Sequence, residues 1–129
     1  MIEEDYVSFE TAKLLKEKGF DEPCYMAYVP TNRKHMMRND AGHSNSMHPD
    51  DYYAVPTLQM AMKWLREVHN LNVEVYRTAC GYIGCIVSIP SGTDIKFLED
   101  DGDDKASGTY TKSEYACEAA LKYSLENLI

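Results

Sequence analysis

The stretch "NVEVYRTACGYIGCIVSIPSGTDIKFL", Asn72 to Leu98, decides the fold class because it alternates, turns and alternates again. In "NVEVYR", Val73 and Val75 fall on one strand face, Glu74 and Tyr76 on the other. After the turn residues "TACG", the segment "YIGCIVSI" sets Ile83, Cys85, Val87 and Ile89 on one side, the pattern of a hairpin partner. Pro90, Ser91 and Gly92 make a second turn, and "DIKFL" adds an edge strand.

Helices are predicted on both sides of this meander. Upstream, Thr57 is placed to cap a helix whose Leu58, Ala61, Met62, Leu65 and Val68 recur at helical spacing, and Asn70 can end it. Downstream, Thr111 with Glu114 reads as a capping box. It opens a final helix with Cys117, Ala120, Leu121, Leu125 and Leu128 on its apolar face. Near the N-terminus, Ser8 caps "FETAKLLKEK" and Gly19 stops it, with Phe20 folding back toward Leu15. "CYMAYV", Cys24 to Val29, is a strand ended by Pro30, and "DYYAV" is a short strand candidate. The order predicts one α+β domain over residues 1–129: a small, largely antiparallel sheet of three to five strands packed with three helices.

Thirteen basic residues against 21 acidic ones give a net charge of −8, which repels phosphate backbones. The acidity sits at the two ends, with three Lys against seven acids in residues 1–29 and three against eight in residues 99–129. Nucleic acid is therefore not an expected partner. No window approaches the ~18 apolar residues that span a bilayer, and "MIEEDYVSFE" has neither the positive start nor the apolar run of a secretory signal. A cytoplasmic protein without membrane contact is expected, with Cys24, Cys80, Cys85 and Cys117 as reduced thiols. Cys80 and Cys85 lack the second pair that a zinc knuckle needs. The acidic "EDDGDDKASG", Glu99 to Gly108, reads as a surface loop, because an EF-hand started at Asp103 would put Lys105 in a ligand position.

The stretch "RKHMMRNDAGHSNSMHPDDYY", Arg33 to Tyr53, holds three of the four histidines. By count, His35, His43 and His48 with Asp50 or Asp51 could supply the three ligands of a catalytic metal. Their spacing lacks a tight pair such as H-E-x-x-H, and Asn, Ser, Gly and Asp favour a solvated, mobile loop over residues 30–51. On that view residues 32–49 have few buried contacts, while "CYMAYV" and "YYAV" pair as neighbouring strands. The basic cluster Arg33, Lys34 and Arg38, with Tyr52 and Tyr53 beside the loop, is the tentative contact surface for a protein partner.

No nucleophile elbow, phosphate-cradling glycine loop or dinucleotide fingerprint occurs, so no cofactor and no enzymatic activity are expected. "VPTLQMAMKWLREVHN" (Val55 to Asn70), "VSFETAKLLKEKGFDEPC" (Val7 to Cys24) and "SEYACEAALKYSLENLI" (Ser113 to Ile129) together span roughly 50 of the 129 residues. In these segments the chain resembles a family of short uncharacterised proteins from prophages and mobile elements of gut anaerobic bacteria. The resemblance implies a phage-type accessory protein made inside a bacterium and carries no catalytic residue. The leading expectation is thus a small non-enzymatic protein-binding module. The alternative is a metal-dependent, hydrolytic site in residues 35–51, and an exposed edge strand would also permit self-pairing across a two-fold axis.

Overall fold

Ser8 opens the first helix, α1 (Phe9–Glu17), with its Oγ accepting a hydrogen bond from the Thr11 amide at 3.3 Å. That bond covers one of the amides a helix start leaves unpaired. In this computed structural model, which describes residues 2–29, 32–47, 52–99 and 109–129, the far end of α1 closes on Gly19 at φ +92°. The Phe20 amide donates to Leu15 O at 2.9 Å and the Gly19 amide to Lys16 O at 3.2 Å. This is the Schellman pair that the glycine predicts, and Leu15 and Phe20 are both buried.

The chain divides into two compact units, Met1–Met60 and Ala61–Ile129. In the first, β1 (Cys24–Val29) runs antiparallel to β2 (Asn32–His43) on one side and to β3 (Tyr53–Val55) on the other. The β1–β3 register, Met26 opposite Val55, Ala27 opposite Ala54 and Tyr28 opposite Tyr53, is the pairing expected of the two flanks. The stretch between them differs from expectation. Where composition predicts a solvated loop across 30–51, Asn32–His43 forms a twelve-residue strand, and Asn45–Met47 forms a 3-10 turn.

The reason lies in the partner strand. β1 offers backbone donors and acceptors along both edges, and β2 satisfies the edge that β3 leaves open. The ladder is irregular, with register shifts between Cys24 and Met26 and between Ala27 and Val29. A bulged strand loses strict alternation, so its sequence carries no period-two signal. Gly42, at φ +67°, supplies one irregular position, and a β-carbon there would lie 3.2 Å from the Tyr25 ring.

Helix α2 (Leu58–His69) is capped by Thr57, whose Oγ1 accepts from the Met60 amide at 3.1 Å. It ends at Asn70 in the left-handed region, φ 56°. In the second unit β4 (Leu71–Arg77), β5 (Tyr82–Ser88) and β6 (Asp94–Leu98) form an antiparallel sheet in that order. The hairpin register runs unbroken from Leu71 opposite Ser88 to Arg77 opposite Tyr82. Thr78 closes its turn, the amide donating to Gly81 O at 2.7 Å while Oγ1 accepts from the Cys80 and Gly81 amides.

Helix α3 (Ser113–Asn127) buries Ala116, Cys117, Ala120, Leu121, Ser124 and Leu125. Its start departs from the capping box. Lys112 is the cap residue and makes no side-chain cap bond, while Thr111 is exposed. Tyr110 is held in extended pairing with Tyr82 by two 2.8 Å backbone bonds. The helix therefore begins one residue late, and Glu114 sits a position too early to reach back. The α+β class, with three helices and antiparallel pairing, stands, but the six described strands divide between two three-stranded sheets. The acidic loop expected after Glu99 lies outside the described residues from 100 to 108.

Candidate functional site

The histidine-rich stretch is anchored through Asn45, which is 5% exposed. Its Nδ2 donates to Phe20 O at 2.9 Å, and its Oδ1 accepts from the Ala54 amide at 2.9 Å. One side chain thus ties the 3-10 turn to the end of α1 and to β3. Beside it, the Ser46 amide donates to Asp21 Oδ1 at 2.7 Å, and this bond above all holds the Asp21 carboxyl below its ordinary value.

Of the candidate metal ligands, only His43 has a described side chain. It is half-buried opposite Cys24, with its ring tilted toward Tyr52 at 6.4 Å. His35 belongs to β2 but its side chain is outside the described set, and His48, Asp50 and Asp51 lie outside the described residues. Among the described residues no group of three or more His, Cys, Asp or Glu could hold a metal ion.

The two tyrosines singled out as exposed contacts serve packing. Tyr52 is 8% exposed, and its carbonyl accepts from Lys16 Nζ at 2.6 Å. Tyr53 is half-buried, with Lys16 Nζ 4.9 Å from its ring centroid and Phe9 edge-on at 5.3 Å. Phe9 also meets Tyr28 edge-on at 5.5 Å. Pairing β3 with β1 places Tyr53 beside Tyr28, where α1 covers both, so adjacency to a polar stretch misled as a sign of exposure. Arg38 is exposed on β2, opposite Met26, while the side chains of Arg33 and Lys34 are not among those described.

The second sheet presents a different surface. Gly84 faces α3, since a β-carbon on it would meet Ala116 O at 2.9 Å and Ala120 Cβ at 3.4 Å. Strand alternation then puts Ile86 under the helix and turns Ile83, Cys85 and Val87 to the opposite face. Cross-strand register brings Asn72 beside Val87, Glu74 beside Cys85 and Tyr76 beside Ile83. On the other flank Asp94 lies opposite Val87 and Phe97 opposite Cys85, with an irregularity between that absorbs Ile95. An apolar column on the central strand is therefore flanked by polar and aromatic side chains. Cys85 is fully buried at its centre, whereas Tyr76 is 44% and Phe97 50% exposed.

This face is ordered by its own hydrogen bonds. Glu74 accepts from Asn72 Nδ2 at 3.1 Å and from the Tyr76 hydroxyl. The Glu74 bond pushes the Tyr76 hydroxyl up to about 12. Cys85 Sγ donates to Asp94 Oδ1 at 3.7 Å, and burial first, then the Asp94 charge, raises its thiol above the ordinary value. The Cys24 thiol is likewise pushed up to about 12, chiefly by burial. Both thiols are held as S–H at neutral pH, where neither is a nucleophile.

Sequence alternation places Ile83, Cys85, Val87 and Ile89 on one side of the strand but does not say which side a helix covers. The signal for the other side was Gly84: a glycine inside a strand marks a close backbone approach. Comparisons with family models, with curated proteins and with solved structures each yield no match. Among the described residues no helix is long and apolar enough to cross a membrane.

Proposed function

We propose that this chain is a small non-enzymatic protein-binding module, of the phage accessory type that its helical segments resemble, and that it binds through the open face of β4, β5 and β6. One observation carries this: the central strand β5 is apolar on both sides, yet α3 covers only the Gly84 and Ile86 side. Strands that read as continuous apolar runs are those covered on both faces. A strip of half-buried Ile83 and Val87 around the buried Cys85, with half-exposed Phe97 and Tyr76 at its rim, has the aromatic, weakly charged centre of an interface.

A photo-crosslinking phenylalanine analogue at position 97 tests the proposal against the same analogue at Tyr115, an exposed position on α3. In cell extract, position 97 is expected to give a discrete adduct that excess unmodified protein competes away. Equal adducts from both positions, or none from 97, would overturn it.

A further inference from the structure

The charges on the open face say what kind of partner fits it. Glu74 and Asp94 flank the Ile83, Cys85 and Val87 column from opposite strands. Glu74 is oriented by Asn72 and Tyr76, and Asp94 accepts from the Cys85 thiol. Among the described residues neither carboxylate has a cationic partner. The neighbouring cations lie on the other side of the sheet, where Arg77 stacks on Tyr82 and Lys96 approaches Tyr123 of α3. An apolar strip with an unpaired carboxylate on each flank repels anions. It also disfavours a second copy of itself, because face-to-face packing would set Glu74 and Asp94 against their own counterparts.

Resting on the reading of this face as a protein-binding surface, we infer that its occupant is a basic amphipathic helix of a partner protein. Its apolar stripe lies along β5, and its Lys or Arg side chains on either margin meet Glu74 and Asp94. The dimensions agree. Seven residues of β5 extend for roughly 23 Å at ~3.3 Å each, and the fifteen residues of α3 on the opposite face cover about 22 Å. A partner helix of similar length would complete a helix–sheet–helix sandwich in which both faces of β5 are covered. The two carboxylates are already held in place, so little ordering cost falls on this side of the interface.

The test uses the full chain and two synthetic peptides of about 15 residues, with leucine at helical spacing and either lysine or glutamate elsewhere. Fluorescence anisotropy at physiological salt reads the binding. The lysine peptide is expected to saturate and the glutamate peptide to show no binding. The double variant E74Q/D94N should weaken the lysine peptide about tenfold, whereas E67Q/E126Q, with the same change in net charge on exposed helical positions, should stay within twofold. Equal weakening by both variants would mean general charge attraction and overturn the inference. So would absence of saturation, equal binding of the glutamate peptide, or a concentration-dependent dimer that the variant V87D disperses. If the lysine peptide fails while the adduct at position 97 persists, the face binds protein but not a cationic helix.

Discussion

Gly84 lies so close beneath α3 that a β-carbon would stand 2.9 Å from the carbonyl oxygen of Ala116. Backbone cannot yield as a side-chain tip can, so Gly84→Ala must lift the helix off β5. A loss of about 1–3 kcal/mol is expected, read as a lower midpoint in urea. Unchanged stability would show that α3 does not sit on this strand.

Asn45 makes an opposite kind of contact, two bonds from one buried amide to two separate segments. Asn45→Ala leaves the Phe20 carbonyl and the Ala54 amide without partners, at a cost of about 2–3 kcal/mol. Replacing residues 33–48 with a short Gly-Ser turn removes Asn45 and β2 together. The thermal midpoint should then fall by at least as much as in the single variant. A midpoint within a few degrees of the parent would restore the view of this stretch as slack.

Tyr76 should ionise well above the ordinary tyrosine range in an ultraviolet titration, because its hydroxyl is pushed up to about 12 by the bond to Glu74. A raised value favours the protonated form in the folded state. Its stabilisation is therefore present below the ordinary pH of tyrosine ionisation, near 10, and is lost as pH rises through 12. Tyr76→Phe should delete the step near pH 12, and Glu74→Gln should move it down by removing the bond that raises it.

Asp21 has the opposite sign. Its carboxyl is held below the ordinary 3.8, so the Ser46 bond stabilises the fold above that pH and is lost as pH falls through the depressed value. The gap in urea midpoint between parent and Asp21→Asn should be largest near neutrality and close in acid. A gap that stays the same size from neutrality into strong acid would mean that the substitution acts through something other than charge.

Cys80 is exposed, whereas Cys24, Cys85 and Cys117 are buried. In the native protein, one thiol is expected to react quickly with a disulfide reagent at neutral pH, and Cys80→Ser should abolish that phase. Two or more fast thiols would contradict the burial of Cys24 and Cys85.

What the sequence determined by itself is local. Ser8, Gly19, Thr57 and Asn70 each act on amides and carbonyls within a turn of their own position, so the ends of α1 and α2 could be read from the residue types. The β4–β5 hairpin followed from unbroken alternation, because its register has no bulge. Tertiary structure alone decided three things. It made a strand of Asn32–His43, since the demand for hydrogen bonds along the free edge of β1 is invisible in a bulged, polar partner. It covered Tyr53 and buried Tyr52, because α1 and β3 meet only after the chain has returned. And it chose which face of β5 lies under α3: alternation separates two faces equally well whichever one is covered, and the choice rested on a helix about thirty residues downstream finding room at Gly84.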